Sequence, residues 1–221
     1  MRAPDSGSVK VEAIVFDLGG VLLDWNPDRI LDAFYADAGL RPTMKRDVFQ
    51  HPDWLELDRG TLTDDEASRR FSRRTGRPVE EMQALMKAAV ESLAPIPRAV
   101  ALVRELEARG VPLYCLSNML ASAYVYLQRY DFWRLFRGVV ISSHVRLMKP
   151  DRAIFDHLVA TYALDPSASL FIDDHPPNVE GARRAGLQAL LFVGVDECRA
   201  QLDAWLGPPG SGDAAFDRRP S

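Results

Sequence analysis

The stretch Ala13-Ile14-Val15-Phe16-Asp17-Leu18-Gly19-Gly20-Val21 sets four apolar residues directly before an aspartate and a glycine pair. A short run of β-branched and aromatic side chains, stopped by Asp and Gly, reads as a buried parallel strand ending in a sharp turn. The arrangement returns far downstream, where Leu170-Phe171-Ile172 runs into Asp173-Asp174. In an open α/β sheet the carboxyl ends of the strands face the crevice where ligands bind, so both acidic ends belong to one edge. Carboxylates gathered there repel one another unless positive charge lies between them, and Mg2+, a small hard cation, meets that need.

Between and around these strands the chain holds two kinds of segment. From 27 to 93 no strand pattern appears, and helical periodicity recurs over 28–38, 42–50, 63–75 and 78–93, the third behind the capping pattern Thr63-Asp64-Asp65-Glu66. Beyond it helices over 98–109, 120–130, 150–162, 178–185 and 197–206 alternate with strands over 112–116, 138–141, 169–172 and 188–192, in addition to the first strand over 12–16. That alternation predicts an α/β fold, a Rossmann-like doubly wound parallel sheet, interrupted by an inserted α-helical cap subdomain. The core is expected over 11–24 and 95–206, the cap over 25–94, and a disordered tail rich in Gly, Pro and Ser over 207–221. Hinges are expected near 24–27 and 94–97, where Pro95 and Pro97 block helix continuation.

Composition narrows the partner. The 221 residues and 47% hydrophobic content suffice for one core domain with an insertion. Twenty-seven basic against 31 acidic side chains, a formal net charge of -4 and no basic block leave no footprint for nucleic acid and no polybasic membrane anchor. A small molecule is the expected partner. Residues 1–10 lack an apolar signal-like core and no stretch reaches membrane-spanning length, so a cytoplasmic location is expected. Cys115 in an apolar strand pattern reads as a core residue and Cys198 in a polar helical one as a surface residue, both reduced. The oligomeric state is not set by any of these features.

The strand ends carry complementary chemistry. Asp17 follows the first strand, Leu116-Ser117-Asn118 ends the second, Asp173-Asp174 ends the fourth, and Met148-Lys149-Pro150-Asp151 stands at a helix start. Together they supply a carboxylate nucleophile, hydroxyl, amide and backbone N–H donors, a cation and metal-binding acids. Phosphoryl transfer needs that set, because its transition state spreads charge over the phosphoryl oxygens. Taken singly, Asp17 could be a turn former, Ser117-Asn118 a helix cap, Lys149 a solvated lysine and Asp173-Asp174 an Asx turn.

In order and spacing over 13–192, these motifs resemble those of the haloacid dehalogenase superfamily, subfamily I with a helical C1 cap. Phe16-Asp17-Leu18-Gly19-Gly20-Val21 resembles its first motif, Leu116-Ser117-Asn118 the second, Lys149-Pro150 the third, and Phe171-Ile172-Asp173-Asp174 with Asn178 and Gly181-Ala182 the fourth. Within the superfamily the chain is most similar to bacterial alpha-D-glucose-1-phosphate phosphatases, and less so to the amino-terminal phosphatase domain of soluble epoxide hydrolases. The first likeness rests on Gly19, on Arg59-Gly60 followed by Asp65-Glu66, and on 148–154. The resemblance implies a Mg2+-dependent phosphatase acting on a small phosphorylated metabolite, a sugar phosphate such as glucose 1-phosphate. Asp17 would attack phosphorus to form an aspartyl-phosphate. Mg2+ would be held by Asp17, the Gly19 carbonyl and Asp174. Ser117, the Asn118 backbone N–H and Lys149 would bind the phosphoryl oxygens, with Asp173 and Asn178 in support.

Gly19 is a departure. Most phosphatases of the superfamily have an aspartate there, which protonates the leaving oxygen, and losing such a group costs on the order of a hundredfold to ten-thousandfold in rate. A substrate with an easy leaving group, such as a sugar 1-phosphate, fits that defect. Asp24, His51 and His175 are candidate substitutes by proximity or type. In the cap, Trp54, Leu55, Leu57, Phe71, Met82, Leu85 and Met86 read as core. The polar turn 56–60 reads as a place for leaving-group recognition, or Asp58 and Arg59 as a solvent ion pair. Two other functions fit parts of the pattern: a metal-independent 2-haloacid dehalogenase, or a catalytically impaired protein that binds a phosphate ligand.

Overall fold

The computed structural model describes residues 11–206, so the expected tail at 207–221 lies outside the described residues. Strand β1 (Ala13–Phe16) passes through a glycine turn into the two-residue strand β2 (Leu23–Asp24). Helices α1 (Pro27–Phe34), α2 (Arg41–Met44), which continues as a π-helical turn over Lys45–Phe49, α3 (Pro52–Arg59), α4 (Asp64–Thr75) and α5 (Val79–Glu91) follow. Strand β3 (Ala94–Pro95) then pairs antiparallel with β2. The rest alternates: α6 (Pro97–Ala108), β4 (Leu113–Ser117), α7 (Ala121–Leu127), β5 (Gly138–Ile141), α8 (Ser142–Val145), α9 (Arg152–Tyr162), β6 (Ser169–Asp173), α10 (Pro176–Arg184), β7 (Gln188–Leu191) and α11 (Val195–Leu206).

The five longer strands form one parallel sheet in the order β5-β4-β1-β6-β7. The central strand β1 has β4 on one side and β6 on the other, with Phe16 level with Cys115 and with Ile172. That register brings Asp17, Ser117 and Asp173 to a single carboxyl edge. Both β1 and β6 are buried along their full length, as strands covered by helices on two faces must be. Alternation sorts their side chains: Ile14, Phe16, Cys115 and Ile172 join the larger core, while Val15, Leu116 and Phe171 pack against Ile154, Phe155 and Leu158 of α9.

In the segment between β2 and β3, Trp54, Leu57, Phe71, Met82, Leu85 and Met86 are buried in an apolar cluster continuous with Ile14 and Phe16 of the sheet. The rings of Trp25, Phe49, Trp54 and Phe71 run in mutual contact through this cluster. Several expectations need correction. Leu55 is 52% exposed, because it lies on the outer face of α3. Residues 56–59 are the last turn of α3, not a free polar turn; the helix ends where Gly60 takes the left-handed conformation at φ 76°. The helix expected from 150 starts at Arg152, with Asp151 at its N-cap. Cys198 is 1% exposed, since the inner face of α11 packs on α6.

Phe155 is buried and meets Phe171 edge-on at 5.4 Å between ring centroids. Replacing it by alanine removes that contact and leaves a cavity under the sheet. Phe155→Ala is expected to lower unfolding free energy by about 3–5 kcal/mol, read from urea denaturation midpoints.

Candidate active site

The turn after β1 is wound around one carbonyl. Leu18 C=O accepts hydrogen bonds from the N–H groups of Val21, Leu22 and Leu23 at 3.2, 2.8 and 2.7 Å. Gly20 has φ +73°, and a Cβ there would stand 2.1 Å from Asp174 Oδ2, so the site requires glycine on both counts. Gly19 differs: a Cβ on it would meet nothing nearer than Trp25 Cβ at 4.0 Å. Asp17 itself is 7% exposed and tied into the sheet edge by its N–H, which donates to Ile172 C=O at 2.9 Å.

Lys149 is buried between two acids. Its Nζ lies 2.8 Å from Asp17 Oδ1, in an ion pair without well-formed hydrogen-bond geometry, and donates to Asp173 Oδ2 at 2.6 Å. The loop that delivers it is clamped to the end of β4 by Asn118, whose Nδ2 donates to Lys149 C=O and whose Oδ1 accepts from Lys149 N–H, both at 2.9 Å. Asp173, fully buried, also accepts from Asn178 Nδ2 at 3.1 and 3.0 Å and from His175 N–H at 2.8 Å. Asp174 is exposed beside Gly20. Ser117 is buried at the end of β4.

Oxygen atoms of Asp17, Asp173 and Asp174 come within 4.8 Å of one another. Burial pushes the Asp17 carboxyl up to about 7, against the pull of Lys149 and with the push of Asp173. Burial, then Asp173, also raises Asp174. Burial alone would lower Lys149, yet Asp17 and Asp173 hold it above the ordinary lysine value. Three carboxylates facing one ammonium leave two negative charges uncompensated, and the donors are hard oxygens. The residues present fit a divalent cation such as Mg2+.

Beside this cluster a pocket of about 90 Å³ opens between the sheet edge and the helical segment. Gly19, Ser117 and Asn118 form its floor, and Leu23, Trp25, Trp54, Leu93, Met119 and Leu120 contribute apolar walls. One acid lines it, Asp58 from the last turn of α3. Its carboxyl accepts a hydrogen bond from Leu120 N–H and is pushed up to about 7, by burial first and by Asp17 second. Asp58 C=O accepts from Ser142 Oγ, which in turn accepts from Met119 N–H at 2.9 Å.

Of the candidate substitutes for the acid absent at Gly19, two have partners of their own and His175 does not line the pocket. Asp24 pairs with Arg29 at 2.5 Å, His51 caps α3 through Asp53 N–H at 3.1 Å, and His175 stands exposed at the start of α10. Nor do Asp58 and Arg59 form a solvent ion pair: Arg59 lies 3.9 Å from Glu56 and 3.8 Å from Asp151.

The sequence matches the haloacid dehalogenase-like hydrolase family over residues 11–186. The chain belongs to that family. It is 28% identical to the sesquiterpene phosphatase astK of Aspergillus oryzae, over 81% of this chain and 88% of that one. It is also 28% identical to a phosphoglycolate phosphatase of Synechococcus elongatus, over 83% and 84%. In fold it superposes on a haloacid dehalogenase family enzyme of Bacteroides thetaiotaomicron in complex with magnesium and inorganic phosphate, at a TM-score of 0.67, 21% identity and coverage of 82% and 93%. An L-2-haloacid dehalogenase of Xanthobacter autotrophicus superposes with a TM-score of 0.64 at 21% identity, over 90% and 85%.

This family member is a hydrolase with a five-stranded parallel core, and no helix among the described residues is long and apolar enough to cross a membrane. Any metal binding at its acid cluster would depend on pH. Asp17 is raised above its unfolded value, so without metal the folded state holds extra protons and loses stability as pH rises towards about 7. A divalent cation binds the ionised form. The gain in melting temperature on adding Mg2+ is therefore expected to grow from about pH 5 to about pH 8, measured by differential scanning fluorimetry with a chelator control.

Proposed function

We propose that this protein is a Mg2+-dependent phosphatase that hydrolyses a small phosphorylated metabolite through an aspartyl-phosphate on Asp17. The observation that carries the reading is the buried Lys149 held between Asp17 and Asp173, with Asp174 beside them. Asp17, the Gly19 carbonyl and Asp174 would hold Mg2+, which when bound neutralises charge on the phosphoryl oxygens. An Oδ of Asp17 attacks phosphorus as the ester oxygen departs, and water then attacks the same phosphorus to release phosphate and restore the carboxylate. Lys149 pulls Asp17 toward its ionised form against the effect of burial and offers a point charge to the phosphoryl group, as Ser117 Oγ and the Asn118 N–H offer hydrogen bonds. Asp173 and Asn178 act on Lys149 by fixing its ammonium.

For the alcohol portion, the missing acid at Gly19 favours an acidic leaving group, as in glucose 1-phosphate. The walls of the pocket favour a second reading. Leu23, Trp25, Trp54, Leu93 and Leu120 match a phosphate ester of an apolar alcohol, the class named by the relative astK. The paired acids Asp173 and Asp174 weigh against a metal-free 2-haloacid dehalogenase, whose chemistry has no use for a bare carboxylate cluster.

The test is phosphate release from glucose 1-phosphate, glucose 6-phosphate, farnesyl phosphate and p-nitrophenyl phosphate, with Mg2+ or chelator. Release that needs Mg2+ is expected, and Asp17→Asn should lower it by at least about a thousandfold while leaving the melting transition in place. Halide release from a 2-haloacid without metal, or full activity of Asp17→Asn, would overturn the assignment. Ligand binding without turnover would point to a binding protein.

A further inference from the structure

We infer that Asp58, carried by the last turn of α3, is the proton donor to the leaving oxygen, in place of the acid that Gly19 does not provide. The inference rests on the phosphatase reading above. It starts from the free space over Gly19, where a Cβ would find no neighbour closer than 4.0 Å. That space belongs to the pocket that Ser117 and Asn118 floor, and Asp58 is the acid on its wall.

Asp58 is held there from both sides. The core grips its backbone through Ser142 Oγ and its carboxyl through Leu120 N–H. Ser142 is wholly buried and also accepts from Met119 N–H, so one hydroxyl ties α3 to the loop that follows Ser117-Asn118. Two residues on, Gly60 closes against α8: a Cβ there would stand 2.3 Å from Ser143 C=O, and φ is +76°. A helix end docked this closely presents its last acidic side chain in a fixed place, and a positioned acid is what proton transfer requires.

The balance of the step is simple. As the bond from Asp17 Oδ to phosphorus forms and the bond from phosphorus to the ester oxygen breaks, the Asp58 proton passes to that oxygen, giving the free alcohol. In the second displacement the attacking water gives its proton to the Asp58 carboxylate, which regenerates the acid. Burial keeps a protonated fraction available near neutrality. The charged groups acting on Asp58 are Asp17 and Lys149. Arg59 is turned to Glu56 and Asp151, Arg70 and Arg74 of α4 bind Asp53, and His144 of α8 packs on Tyr124.

The experiment measures kcat/KM of the full chain with Mg2+ on aryl phosphates of graded leaving-group acidity, from p-nitrophenyl to phenyl phosphate. Asp58→Asn is expected to lose at least about tenfold more on phenyl than on p-nitrophenyl phosphate, because only the poor leaving group needs the proton. With phenyl phosphate the parent enzyme should lose activity as pH rises through neutrality, and this limb should be missing in Asp58→Asn and kept in Asp58→Glu. Gly19→Asp in the Asp58→Asn background should recover part of the phenyl phosphate activity. Circular dichroism and melting curves establish that each variant is folded. A uniform loss across the series with an unchanged pH profile would overturn the inference while leaving the phosphatase reading intact. Absence of Mg2+-dependent release from p-nitrophenyl phosphate by the parent protein would instead remove the reading itself, and the inference with it.

Discussion

A lysine ammonium buried between Asp17 and Asp173 is the constraint from which the rest of the site follows. Removing an ammonium from water costs several kcal/mol even after relaxation, and so does each carboxylate. The three groups are tolerable only together, at ion-pair distance and with their remaining valences satisfied. Asp173 meets that condition with donors from Asn178 and the His175 backbone. Lys149 sets its ammonium against both acids, and Asn118, bonded to the backbone N–H and C=O of Lys149, holds the loop that carries it. The fold is built to the same end: only with β1 between β4 and β6 do the three sequence-distant segments reach one edge.

Close backbone approaches enforce this geometry. Gly20 lets the first turn pass Asp174, and Gly181 lets α10 lie against the loop after Lys149, where a Cβ would be 2.6 Å from Pro150 C=O. Both glycines bring acid and cation loops nearer than side chains would allow. The result is a set of oxygens dense enough that burial and mutual repulsion raise two of the acids, a condition a divalent cation relieves. The antiparallel ribbon of β2 and β3 carries the chain into and out of the helical segment as two adjacent strands. Gly60 of that segment meets Ser143 of the core at the opposite end of α3.

Much of this was legible because it is local. The strands ending in Asp17 and in Asp173-Asp174 announce themselves by apolar runs stopped by acid, and the alternation that follows gives the sheet class. The two-residue strands β2 and β3 were not, since so short a pairing has no periodicity to detect. Helix α3 escaped because its eight residues carry four charged side chains, and its start depends on a histidine cap and a proline. Cys198 misled for a related reason: its neighbours Glu197 and Arg199 are polar, while the cysteine alone turns inward. Asp58 could be picked out as part of a polar segment near the substrate, but its contact with Leu120 joins residues 62 positions apart, and no local pattern encodes that distance.

The division between sheet edge and helical segment has a chemical consequence. In the proposed mechanism everything that would touch phosphorus comes from the ends of β1, β4 and β6 or from the Lys149 loop, segments fixed by hydrogen bonds within the core. What would touch the departing alcohol comes largely from elsewhere: Trp54 and Asp58 from α3, Trp25 and Leu93 from either side of the β2–β3 ribbon. With Trp54 and the proposed donor Asp58 on the same helix, recognition and proton delivery would be coupled, because a leaving group that packs against Trp54 is also within the pocket of Asp58. An alcohol too large or too polar to let α3 seat on Ser142 and Ser143 would lose the acid along with the fit. Discrimination would then be felt in the rate of P–O cleavage and not only in binding, which is the more effective place for an enzyme to apply it.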